Sequence, residues 1–247
     1  LKCAQLAPAP AIAHTYFPFY MGINESRYAF MDEGWATTYE LLIGTVEKGK
    51  KAADEFYKKF RVNSWTHGPH AKEMPIITPS PDVKFGGGNN AYGKPSLSYL
   101  ALKDMLGDAL FKKALHTYMD NWHGKHPIPW DYFNSMTAGS GKNLYWFFNN
   151  WFFTPSYIDL ALEKAEKSGG SYKIDVKNIG GFAVPFDVIA TYTDGTTESF
   201  HQSPAVWEKD QKQVTITVKS TQEVKSLLLD GGIFVDASDK DNVWPAA

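Results

Sequence analysis

Along the first 155 residues the apolar side chains recur mostly at helical spacing. Between Met31 and Phe60, Trp35, Tyr39, Leu42 and Val46 follow one another at three- and four-residue steps, while Glu47, Lys48, Lys50 and Lys51 fill the later, polar part. This pattern predicts one amphipathic helix. The period returns at Leu97–Leu106, Asp108–Trp122, Trp130–Met136 and Leu144–Phe153, with Gly107, Gly124 and Gly139-Ser140-Gly141 as stops. Val62 to Asn90 holds Pro69, Pro75, Pro79, Pro81 and three successive glycines, Gly86 to Gly88. So many breakers predict a long surface loop, and loops of that length in compact domains are often functional.

After Pro155 the period shortens to two. Tyr172–Lys177, Phe186–Tyr192, Val214–Val218 and Val224–Leu229 are short β-branched runs, several alternating apolar with polar, and read as strands. Asp194-Gly195, between Tyr192 and Thr196, supplies the positive-φ positions of a tight hairpin. Two domains are expected: residues 1–156, mostly helical, and residues 157–247, a small antiparallel β-sandwich. No internal repeat or low-complexity tract stands out.

Composition narrows the functions. The 247 residues carry 25 Lys+Arg against 27 Asp+Glu, with 15% aromatic and 43% hydrophobic residues, enough to build a folded core. That balance lacks the basic face that nucleic acid requires, so nucleic acid is not an expected partner. No run of 18 apolar residues exists to span a membrane. Leu1–Ala13, rich in Ala and Pro, makes a poor secretion signal. With Cys3 as the single cysteine, neither an internal disulfide nor a thiolate zinc site is available, and any metal must be held by His and carboxylates.

His14 and Glu33, the latter in Asp32-Glu33-Gly34-Trp35-Ala36, have eighteen residues between them. In one class of zinc peptidases a helix carries H-E-x-x-H, whose two His share a face, and a second helix brings a Glu as third ligand. Three ligands leave one position for a water made reactive by the metal. With this spacing the sequence resembles the aminopeptidase N-like family of gluzincin zinc metallopeptidases. Asn90-Ala91-Tyr92-Gly93-Lys94 is similar to the family's Y-x-K-G segment, with Pro95 where the family has Gly. The segments Trp122–Phe133 and Gly141–Phe153 follow in family order, so residues 12–155 are covered.

The resemblance implies the mostly α-helical half of a thermolysin-like catalytic domain followed by an antiparallel β-sandwich. It implies His14 and Glu33 as metal ligands, Tyr92 as the stabiliser of the tetrahedral intermediate, zinc in the intact parent enzyme, and a peptide substrate. A cell-envelope or secreted location follows only from the family's habits. The departures are as informative. The first His and the general-base Glu belong at positions 10 and 11, which hold Pro10 and Ala11, and the G-x-M-E-N segment has no counterpart. The chain thus reads as the carboxy-terminal part of such an enzyme, missing its amino-terminal domains, with weak or absent zinc binding and no activity as it stands. The competing reading is a pseudo-peptidase that acts as a peptide- or protein-binding module.

Each of these residues also has a plainer account. A single His on an apolar helix is more often structural, and Asp-Glu before a helix more often caps it. Glu40, seven residues beyond Glu33 on the same helix face, reads as a surface carboxylate. His67, His70, His123 and His126 lie in breaker-rich stretches and read as solvated loop residues. The run Tyr145–Phe153 reads as core rather than a stacking platform.

Overall fold

The computed structural model describes residues 8–220 and 222–245, so Cys3 and the opening of the Ala/Pro-rich segment lie outside the described residues. The chain divides into two compact units between Ser156 and Tyr157.

The first unit is built of helices α1 (Pro8–Ala13), α2 (Glu33–Lys48), α3 (Lys50–Tyr57), α4 (Asn63–Thr66), α5 (Gly87–Ala91), α6 (Gly93–Leu106), α7 (Asp108–Trp122), α8 (Pro129–Ser140) and α9 (Tyr145–Phe153). The helix expected over Met31 to Phe60 is in fact two. Gly49 breaks it at φ +84, a conformation that a residue with a β-carbon adopts only under strain. Its buried face is also rotated from the expected one. Trp35, Thr38 and Leu41 point inward, whereas Val46 is 87% exposed. Trp35 anchors the core, stacked on Tyr99 at 4.1 Å and on Phe17 at 5.2 Å between ring centres. Phe147, Phe148, Trp151 and Phe152 of α9 are buried as well, which places most of the aromatic run in the core.

The stretch between Val62 and Asn90 is irregular, with α4 and two short 3-10 turns, His70–Lys72 and Ser80–Asp82. It is pinned rather than draped over the surface. The Ile77 N–H donates to the Phe152 carbonyl at 3.0 Å, and Ser80 N–H to that of Arg27 at 2.8 Å. Lys94, fully buried in α6, donates to Glu73 at 2.7 Å, to the Met74 carbonyl at 2.9 Å and to Asn90 Oδ1 at 2.7 Å. Pro95 is accommodated because it lies in the first turn of α6, where an N–H has no helical partner to lose.

The second unit holds β1 (Leu160–Ser168), β2 (Ser171–Asn178), β3 (Phe186–Tyr192), β4 (Thr197–Gln202), β5 (Gln213–Lys219), β6 (Val224–Asp230) and β7 (Val243–Trp244). They form two antiparallel sheets, ordered β1-β2-β5 and β4-β3-β6-β7. The β3–β4 hairpin turns at Asp194-Gly195, with Gly195 at φ +86 and its N–H bonded to Tyr192. Alternate residues of β3 are buried, as a period of two demands. A bond from the Val224 N–H to the Tyr172 hydroxyl, 3.1 Å, ties β6 of one sheet to β2 of the other. No helix among the described residues is long and apolar enough to cross a membrane.

Candidate functional site

Three segments of the first unit bring the sequence-predicted residues together. His14 follows α1 directly, Glu33 opens α2, and Tyr92 stands at the junction of α5 and α6. His14 Nε2 lies 3.7 Å from Glu33 Oε2, and the Tyr92 hydroxyl donates to Glu33 Oε1 at 2.8 Å. The other imidazole nitrogen, Nδ1, contacts Asp32 Oδ1 at 2.7 Å and the Phe17 carbonyl at 3.1 Å. With its hydrogen on Nδ1 the ring is held with Nε2 turned to Glu33, the arrangement in which a carboxylate behind an imidazole fixes its tautomer.

Asp32 thus has a different role from the helix cap that its position suggests. It makes no side-chain capping bond to α2 and is spent on His14 instead. Glu40 also departs from expectation. It is buried, and Arg61 grips it through two hydrogen bonds of 2.7 and 3.0 Å, a bidentate pair rather than a solvated carboxylate. The same guanidinium lies 5.8 Å from the centre of the Tyr92 ring. Neither Asp32 nor Arg61 was singled out from the sequence. The signal for Asp32 was present in the Asp-Glu-Gly segment, whereas nothing local announces a partner for Arg61 that is 21 residues away.

The electrostatics follow from crowding. Burial pushes the Asp32 carboxyl up to about 7, a hydrogen bond with Glu25 adds to this, and His14 works against it. At His14 burial disfavours the charged ring, but the bond and charge of Asp32, the Phe17 carbonyl and Glu33 together raise its pKa. Burial and then the bond to Glu33 raise the Tyr92 phenol to about 12, so it remains a donor at neutral pH. Both Asp32 and His14 hold protons in the fold that the unfolded chain releases at lower pH. The Asp32 contribution fades as pH climbs from about 4 to 7, and that of His14 as pH climbs beyond its unfolded value. The melting temperature of the metal-free protein is therefore expected to fall by a few degrees between about pH 5 and pH 8. Asp32→Asn should flatten the lower part of that profile, and calorimetry that finds the same slope in both proteins would refute the assignment.

No family model matches the sequence, and no curated protein matches it. Solved structures do match. Aminopeptidase A of Legionella pneumophila, in complex with aspartic acid, superposes on 89% of this chain with a TM-score of 0.61 at 16% identity. The chain shares the fold of part of that enzyme. It spans 25% of the enzyme's length, about a quarter. An M1 zinc metallopeptidase mutant from Deinococcus radiodurans, bound to a Tyr-Ser-Ala substrate, aligns over 55% of this chain and 30% of its own, with a TM-score of 0.42 at 22% identity.

The resemblance read from the sequence implies zinc in the intact parent enzyme, and the donor set can be tested for it. Two donors on one tetrahedral zinc, each at ~2.0–2.2 Å, stand roughly 3.4 Å apart, close to the observed separation of His14 and Glu33. A third protein donor is required, and four residues before His14 the chain has Pro10, which offers none. Among the described residues no group of three His, Cys, Asp or Glu side chains could hold a metal ion. The described residues do not complete a zinc centre.

Proposed function

We propose that this chain is the carboxy-terminal part of the catalytic region of an aminopeptidase N-like gluzincin zinc metallopeptidase, joined to a β-sandwich over residues 157–247. His14 and Glu33 descend from metal ligands and Tyr92 from the donor that steadies a tetrahedral oxyanion. As it stands the chain does not hydrolyse peptides, because position 11 is Ala, which accepts no proton from water, and position 10 adds no ligand. The observation that carries the reading is the meeting of an imidazole, a carboxylate and a phenol from three separate segments, with Glu33 in reach of both partners.

The test is to restore what is missing. Pro10→His with Ala11→Glu should convert negligible zinc uptake into one bound zinc, tightening the affinity on the order of 100-fold or more as the third ligand is added. Isothermal titration reads this directly, and Glu33→Ala in the restored protein should abolish it. Failure of the restored protein to bind zinc more tightly than the parent would refute metal-ligand descent for His14 and Glu33.

Pro10 and Ala11 also favour a second reading, a pseudo-peptidase in which the surviving half-site binds a peptide or a protein. The two readings separate on the polypeptide upstream. An in-frame extension with G-x-M-E-N, together with His and Glu at positions 10 and 11 of the natural gene, supports the enzyme, and a genuine initiation site near Leu1 supports the binding module.

A further inference from the structure

A buried ion pair adds little net stability, because desolvating both charges consumes most of what their attraction returns. Glu40 and Arg61 nevertheless form one. Glu40 is 4% exposed, and the guanidinium grips both of its carboxylate oxygens, through Nε at 2.7 Å and Nη2 at 3.0 Å. What such a pair secures is place, since a planar fork held at two points cannot turn.

The fork faces the phenol of the cluster. Its central carbon lies 5.8 Å from the centre of the Tyr92 ring, in the range of a cation–π contact. The main chain of Arg61 reaches the same spot, for its carbonyl oxygen would stand 2.2 Å from a β-carbon at Gly93, the residue after Tyr92. The helical turn Lys58–Val62 thus meets the Tyr92 segment with backbone and side chain together. That turn is itself tied down. Tyr57, just before it, donates its hydroxyl to Ser96 Oγ of α6 at 2.7 Å, and Thr38 of α2 donates to the same oxygen at 3.0 Å.

The bond from the Tyr92 hydroxyl to Glu33 fixes only the tip of a side chain that turns about two torsions. A cation against the ring fixes its plane as well. The geometry points to Arg61, immobilised by Glu40, as a positioning residue that sets the Tyr92 ring so that its hydroxyl reaches Glu33. On the reading of Tyr92 proposed above, the oxyanion donor is then placed in advance by the chain itself. A shift of about 1 Å in such a group costs on the order of 100-fold in rate.

Two variants test this in the metal-free protein. Glu40→Gln with Arg61→Met removes both charges, so neither is stranded in the interior. Should that protein not fold, Arg61→Lys keeps a charge beside Glu40 without the flat fork. In crystals of either variant the Tyr92 hydroxyl should lie beyond about 3.5 Å from Glu33, its hydrogen bond lost. In solution, with tyrosine rings isotopically labelled, the Tyr92 signals should shift. Those of Tyr99, whose hydroxyl is held by the Phe30 carbonyl at 3.0 Å, should stay. Glu33→Ala, by contrast, should leave the Tyr92 ring plane within ~20° of its place, because the guanidinium still holds it. A merely structural pair would lower the melting temperature and move neither ring. An unchanged Tyr92–Glu33 bond in a folded variant, or a ring that swings away in Glu33→Ala, would overturn the assignment. No metal enters these measurements, so they are independent of the zinc titration. Failure of the restored protein to bind zinc would leave the displacement of Tyr92 intact and remove only its catalytic meaning.

Discussion

Lys94→Ala should destabilise the first unit by about 3–5 kcal/mol, because it strands the carboxylate of Glu73 in the interior without its partner. Lys94 is fully buried and Glu73 nearly so, and the ammonium also serves Asn90 and the Met74 carbonyl. Desolvation lowers the Lys94 pKa and the charge and hydrogen bond of Glu73 raise it again, leaving it below its ordinary value. The ammonium is therefore held by its partners against burial. For a unit of this size such a loss corresponds to a drop of roughly 6–20 °C in melting temperature. Lys94→Met combined with Glu73→Gln should recover much of it, since both ends of the pair then lose their charge. A calorimetric change below about 1 kcal/mol in Lys94→Ala would show that the pair is not the clasp described.

Gly93→Ala should be the second severe change. A β-carbon at Gly93 would lie 2.2 Å from the carbonyl oxygen of Arg61, a backbone atom that cannot swing aside. Overpacking of this kind costs about 3 kcal/mol, and relief requires the start of α6 to move. Tyr92 is the preceding residue, so its hydroxyl should leave Glu33 in the same step. The variant should unfold at lower denaturant, and in the zinc-restored background Glu33, freed of Tyr92, should bind the metal with altered affinity. An unfolding midpoint equal to that of the parent would contradict the close approach.

The parts legible in the sequence were those set by local rules. Asp108–Trp122 begins and ends between glycines, and Phe186–Tyr192 is bounded by Pro185 and an Asp-Gly turn, so both segments match the structure residue for residue. β1 was not legible. Its sequence, Leu-Ala-Leu-Glu-Lys-Ala-Glu-Lys-Ser, has the composition of a helix, yet it pairs along β2 with an irregularity between Leu162 and Lys164. Tertiary pairing and burial of Leu160, Ala161, Leu162 and Ala165 override that preference. The approach of His14 to Glu33 is what the family resemblance implies for that pair. The Arg61–Glu40 pair and the Lys94 clasp could not be anticipated, because each depends on side chains meeting across elements whose relative placement no local pattern encodes.

The bond from Lys94 to Glu73 joins residues 21 positions apart and so closes the intervening chain into a ring with fixed ends. Closure entropy grows only logarithmically with length, and doubling such a ring adds merely ~0.6 kcal/mol. The exposed Lys84 and Phe85 mark where the ring can accordingly be lengthened while the Ile77 and Ser80 bonds and the Lys94 anchorage persist. Insertion has an inexpensive place to occur, one that leaves the segments bearing His14, Glu33 and Tyr92 untouched.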